Sequence, residues 1–138
     1  LISKRLQVPV KTELYKLVRV RKIADVPYSM ETNYFTTENF KDIIHLYKGN
    51  SLYAFLKETY DICIMKSHET YNAVLLDEEQ ARLLDQKKKS PAFRMEGQVY
   101  DQYERLISLV ECIYRADKYE IVVDTDAGQH RATYVVEE

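Results

Sequence analysis

Two arginines and a glutamate near the start of the chain are the residues best suited to chemistry. They lie in Val18-Arg19-Val20-Arg21-Lys22-Ile23-Ala24-Asp25-Val26-Pro27-Tyr28-Ser29-Met30-Glu31, which reads as one β-hairpin. Residues two apart in a strand share a face. Arg19 and Arg21 therefore fall with Tyr15, Leu17 and Ile23, as basic groups on a mostly apolar surface. Paired guanidinium forks in that setting suit an anion such as a phosphate. An edge strand protected by charge is the alternative that the spacing leaves open. A register placing Arg21 opposite Glu31 puts all three side chains on one face, and a slip of one residue does not. A plain cross-strand ion pair is the simpler role for the glutamate.

The elements that must position these groups follow from the flanking pattern. Leu14 to Ile23 and Tyr28 to Phe35 read as strands around a turn at Ala24-Asp25-Val26-Pro27. Thr36 or Thr37 offers a cap for a short helix carrying Phe40, Ile43 and Ile44. Ser51 caps a second, whose Leu52, Phe55, Leu56 and Tyr60 form a stripe that reads as core. Ile62 to Val74 is predicted as a long strand with Cys63, Met65, Ser67, Glu69 and Tyr71 on one face and His68 on the other. Asp77-Glu78-Glu79-Gln80 has the spacing of a capping box, opening a helix through Ala81, Leu83 and Leu84. Lys87-Lys88-Lys89 reads as a solvated loop. Strands are expected at Ala92 to Tyr100, Leu106 to Tyr114, Tyr119 to Thr125 and Arg131 to Glu137, with short connections that make them antiparallel. The fold class is therefore α+β, an antiparallel sheet with a few short helices packed on it.

A chain of 138 residues, 46% of them hydrophobic, suffices for one domain with one core, here residues 1–138. A net charge of −2 argues against a broad nucleic-acid footprint. Cys63 and Cys112 stand far apart with no metal-ligand spacing, so neither a metal nor a disulfide framework is indicated, and reduced thiols in the cytoplasm are the simpler reading. No apolar run approaches the roughly 20 residues of a membrane span. Leu1 to Pro9 reads as a polar-apolar leader, which suggests a fragment.

Two pieces, VRVRKIADVPYSMETNYF and IYRADKYEIVV, resemble the R-x-R hairpin with its A-D-x-x-P turn and E-x-x-Y strand, and the Y-R-x-D-x-Y closing motif, of the UTRA domain. This is the effector-binding half of GntR-family transcriptional regulators of the HutC subfamily. Between them, SLYAFLKETYDICIMKSHETYNAVLLDEEQARLL resembles the family's S-L-Y helix, E-T strand and acidic-capped helix. The ordered match runs from about Leu14 to Asp126. It implies a chorismate-lyase-like fold without lyase activity or cofactor, in a homodimeric repressor. Residues 1–10 would then be the end of a linker from a missing N-terminal winged helix-turn-helix, the only part to touch DNA. The implied partner is a small-molecule effector such as a sugar phosphate.

Carried over by position, the resemblance gives Arg19 and Arg21 the role of holding the effector's anionic group, and Glu31 that of accepting hydrogen bonds from its hydroxyls. Ser67 and Glu69 stand at the family's E-T segment, and Tyr114 is the tyrosine that opens the closing motif. At Ser108 the family commonly has a pocket glutamate, whose loss puts an amino-sugar effector in doubt; Gly97 stands where many members carry a basic residue. The competing function is a chorismate-lyase-like enzyme, against which stands the lack of any paired acid and base beyond the hairpin.

Overall fold

The computed structural model describes residues 1–136. A short helix α1 (Ile2–Leu6) precedes the hairpin strands β1 (Leu14–Ile23) and β2 (Val26–Thr36). Helices α2 (Ile43–Leu46) and α3 (Leu52–Tyr60), strand β3 (Ile64–Leu75) and helix α4 (Glu78–Leu83) follow. Strands β4 (Pro91–Asp101), β5 (Leu106–Arg115), β6 (Tyr119–Asp126) and β7 (Gln129–Val136) complete the chain. The first five strands form one antiparallel sheet in the order β1-β2-β5-β4-β3. Strands β6 and β7 pair antiparallel as a separate hairpin, Tyr119 opposite Val136 and Asp126 opposite Gln129. The α+β class expected from the sequence is what the structure has. Of the expected last strand, Glu137 lies outside the described residues.

Sheet order explains the burial of each strand. Central β5 is shielded along nearly its whole length, whereas β3, at one edge, exposes every residue from Met65 to Thr70. The β1–β2 turn is made by Ala24 and Asp25, both at positive φ (49° and 67°), and Pro27 already belongs to β2. Positive φ at two successive residues gives the turn a twist that suits a tight hairpin. Two helices depart from the sequence expectation. The leader folds as α1, with Leu6 buried. The Thr36 hydroxyl caps as expected, accepting from the Asn39 amide, but the helix stops after one turn at Asp42, whose φ is 63°, and only the four residues of α2 follow.

The chain divides into two compact units. The first comprises Leu1–Arg19, Glu31–Tyr71 and Met95–Glu111. Its core holds a run of edge-on and tilted rings: Phe35 to Phe40 (4.8 Å), Phe40 to Tyr60 (5.3 Å), Tyr60 to Phe55 (5.9 Å) and Phe55 to Tyr47 (5.2 Å). Such pairs add stabilisation to the burial of their area. The α3 stripe is core as expected, and the Ser51 hydroxyl caps its helix by accepting from the Ala54 amide. Helix α1 docks on β4 through an Arg5–Glu96 ion pair (2.9 Å) and a bond from the Gln98 amide to the Arg5 carbonyl (2.7 Å).

The second unit comprises Val20–Met30, Asn72–Arg94 and Cys112–Glu138. Met30, Leu76, Ala81, Leu84, Ala92 and Ile113 form its core, with Val20, Val74 and Leu83 against them. Helix α4 starts at the expected capping box, in which Asp77 and Gln80 satisfy each other's backbone amides. Lys87, Lys88 and Lys89 are exposed, in a loop tied by reciprocal backbone bonds among Leu76, Lys89 and Ser90.

The β4–β5 turn in the first unit depends on one buried carboxylate. Asp101, 1% exposed, accepts from the Tyr103 and Arg105 amides (2.9 Å each) and from Arg105 Nε (2.7 Å). Burial alone would raise its pKa, but these bonds outweigh it and the net direction is down. A depressed folded-state pKa contributes stability that is complete above the unfolded value, near 3.9, and is lost as pH falls through the folded one. Asp101→Asn is therefore expected to cost about 2–3 kcal/mol at neutral pH in urea unfolding. The gap between variant and parent should close in acid, and equal acid sensitivity in both would contradict this assignment.

Candidate functional site

In the first unit, Arg19 from β1 and Glu31 from β2 form an ion pair through Arg19 Nη2 and Glu31 Oε1. The hydrogen bond from the Thr37 amide to the Glu13 carbonyl (3.3 Å) joins residues in the same register sum as Arg19 and Glu31. Glu31 thus answers to Arg19, and not to Arg21 as one register considered from the sequence would have it. Asn33, two residues along β2, donates to the same Glu31 oxygen (2.7 Å). Arg19 Nη1 points to the Tyr47 hydroxyl (3.4 Å), which itself donates to the Asn50 carbonyl (2.5 Å). Tyr47 is the last ring of the aromatic run, so the core of the unit orients the group that meets Arg19.

The electrostatics are those of a half-buried cation held by its partners. Burial acts to lower the Arg19 pKa, and the Glu31 carboxylate together with Tyr47 reverses this, leaving it raised. Arg19 Nε is buried and has no hydrogen-bond partner among the described residues. A buried donor left unsatisfied costs about 1–3 kcal/mol. This atom therefore gains from any acceptor brought to it. Arg21, two residues further along β1, is exposed.

The other sequence-predicted residues fall in separate places. A Cβ built on Gly97 would meet Val110 Cγ1 at 3.0 Å, Met95 Sδ at 3.3 Å and Glu69 Cγ at 3.5 Å. Glu69, Gly97 and Val110 therefore share a face across β3, β4 and β5, and alternation adds Ser67 and Ser108 to it. Ser108 is buried, Ser67 is exposed, and Glu69 accepts from the Tyr71 hydroxyl (3.0 Å). A side chain at position 97 would press on the Val110 and Met95 side chains. In the second unit, the Tyr114 ring packs tilted, at 4.8 Å, against that of Tyr119, whose hydroxyl bonds Ser29 Oγ (3.2 Å).

Sequence reasoning missed Asn33 and Tyr47, which it left without a role, and it missed what the closing motif does. Arg115 is buried, donates to the Pro27 carbonyl through Nη1 (2.9 Å) and grips Asp117 with Nε (3.0 Å) and Nη2 (2.7 Å). The bond to Arg115 holds the Asp117 pKa below its ordinary value. Lys118 Nζ lies 5.6 Å from the centre of the Tyr28 ring, at cation–π range. The spacing Arg-x-Asp was the available signal, since a fork and a carboxylate two residues apart at a strand end can close a bidentate pair. Among the described residues no group of three or more His, Cys, Asp or Glu is placed to hold a metal.

The model of one family, the UTRA domain, matches residues 1–120. The chain belongs to the UTRA domain family. This UTRA chain is similar to the probable fructoselysine utilization operon transcriptional repressor of Escherichia coli K12, 22% identical over 121 residues, 87% of this chain and 50% of the relative. It thus spans half the length of the curated relatives it matches. Solved structures share its fold. The ligand-binding domain of a GntR-family regulator from Bordetella bronchiseptica has a TM-score of 0.81 at 16% identity, over 91% of this chain and 82% of that one. The C-terminal domain of Yurk from Bacillus subtilis has a TM-score of 0.79 at 19% identity, over 84% and 81%. The effector domain of PhnF from Mycobacterium smegmatis has a TM-score of 0.77 at 25% identity, over 83% and 71%.

The closing motif of this UTRA domain generates a prediction. Arg115→Ala is expected to cost about 3 kcal/mol, because it strips the buried Pro27 carbonyl of its donor as well as removing packing. Asp117→Asn should cost under about 1 kcal/mol, since the Asp117 side chain is half exposed and its pairing is screened. Urea unfolding of the two variants decides; equal costs would assign the stability to the ion pair alone.

Proposed function

We propose that the chain is the effector-sensing domain of a GntR-family transcriptional repressor of the HutC subfamily, a binding module without catalysis. The observation that carries this reading is the Arg19 site. A half-buried guanidinium, oriented by Glu31 and Tyr47, keeps one buried donor unpartnered among the described residues, and the exposed Arg21 follows it two residues along β1. An anionic metabolite meets the exposed third of the Arg19 side chain, and a second guanidinium raises selectivity for a doubly charged group such as a phosphate. Glu31 and Asn33 then face the hydroxyls of an attached sugar. The name of the Escherichia coli relative points in the same direction, since fructoselysine is a sugar conjugate. Ser67, Glu69, Ser108 and Tyr114 are assigned to the effector on the sequence match alone. In this reading, contact with DNA belongs to a separate domain and the regulator works in the cytoplasm.

The test is a thermal-shift screen with phosphorylated and unphosphorylated sugars. A sugar phosphate at 100 times its dissociation constant stabilises the parent by about 2.7 kcal/mol. Replacing Arg19 and Arg21 together with glutamine should abolish that gain while the domain still folds. Undiminished binding by the double variant would misplace the anion site.

A repressor that reads a two-fold operator is a dimer, and we assign that role to this domain as well. Light scattering at micromolar concentration is expected to return twice 16.3 kDa. A clean monomer would remove the self-contained dimerisation role.

A further inference from the structure

The first unit holds a second concave site, apart from Arg19 and Glu31 in its lining. A cleft of about 210 Å³ is lined by Asn39, Tyr60, Ile62, Arg105 and Ile107. Its walls are pinned by Gln102, whose side chain accepts from the Cys63 amide (2.9 Å) and donates to the Asp61 carbonyl (2.7 Å). Among the described residues that line it, Arg105 is the charged one. Its Nε is held by the buried Asp101 carboxylate, and its guanidinium lies 5.1 Å from the centre of the Tyr103 ring. Among the described residues neither Arg105 Nη1 nor Nη2 makes a hydrogen bond. The guanidinium is therefore oriented in advance, with the end that grips a carboxylate two-fold still open.

The rest of the lining selects what lies behind the anion. Ile62 and Ile107 are buried side chains that present apolar surface. The Tyr60 hydroxyl donates to the Lys41 carbonyl (2.6 Å) and so keeps its oxygen as an acceptor, while the Asn39 amide can donate or accept. The cleft has room for a compact acid. We propose that this cleft is a second ligand site, for a short-chain carboxylic acid whose carboxylate meets Arg105 and whose chain lies on Ile62 and Ile107. Inorganic phosphate shares the charge but has no apolar body, so the isoleucines distinguish the two.

Methyl-detected NMR of Ile62 and Ile107 tests this, with butyrate, 2-hydroxybutyrate, butyramide and inorganic phosphate as probes. The two acids are expected to shift both methyl signals saturably, the neutral amide to bind roughly tenfold more weakly or worse, and phosphate to leave the methyls in place. Arg105→Gln should weaken the acids by roughly tenfold or more. Asn39→Leu, at an exposed position that leaves Asp101 its partner, should block the cleft in a folded protein. Arg19→Gln should leave the acid-induced shifts unchanged, which separates this site from the proposed effector site. Methyl signals unmoved by the acids, moved equally by butyramide or phosphate, or still moved by the acids in both folded variants, Arg105→Gln and Asn39→Leu, would overturn the proposal.

Discussion

Burying a guanidinium part-way into a protein is costly unless a carboxylate comes with it, and on this hairpin the carboxylate must come from the neighbouring strand. Arg19 and Glu31 meet that condition, each with about one third of its side chain exposed. Because side chains alternate, a one-residue slip of β2 against β1 would turn Glu31 to the other face and leave Arg19 uncompensated. The pair thus specifies register as well as charge balance. The register in turn places Asn33 and Phe35 on the Arg19 side of β2, and Phe35 begins the aromatic run that returns to Arg19 through Tyr47. Charge pairing and ring packing close on the same point.

The same device recurs where strands end. Asp101 collects two amides and Arg105 to fix the β4–β5 turn, and Arg115 collects Asp117 and the Pro27 carbonyl after β5. In each case a charged group at a strand end satisfies backbone groups that the sheet cannot reach, which is the condition for burying them at all. The placement of charge explains why, in a chain with 30% charged residues, Arg19 Nε is the buried side-chain nitrogen or oxygen without a partner among the described residues. Position along the strand, more than identity, decides which ion is a staple. Each of the three Arg115 nitrogens has a partner, whereas among the described residues Arg19 retains an unpartnered Nε and Arg105 two open nitrogens.

Much of the scaffold was legible because its signals are local. The Asp77 to Gln80 box, the Ser51 cap and the 3.6-residue stripe of α3 each involve residues within one or two turns, and each forms as read. The Arg-x-Arg hairpin with its turn was legible for the same reason, since alternation and two turn residues define it. What failed to show was long-range. Tyr47 reaches Arg19 across 28 positions and Arg115 reaches Pro27 across 88, distances over which no periodicity speaks. Helix α1 escaped because its five residues lack a capping signal and depend on docking through Arg5 and Gln98. The helix expected at Thr36 failed for the opposite reason, as its cap formed but the left-handed Asp42 broke the turns that follow.

The two departures from the family pattern have one physical consequence. At position 97 the surrounding Val110, Met95 and Glu69 atoms approach a would-be Cβ so closely that a basic side chain would have to displace them. At position 108 a buried serine stands where the family commonly has a carboxylate, and its hydroxyl already leans on the Leu109 carbonyl (3.4 Å). Losing a cation from one strand and an anion from the next leaves the net charge of that face unchanged. Glu69, exposed and bonded to Tyr71, is the charge that remains on it.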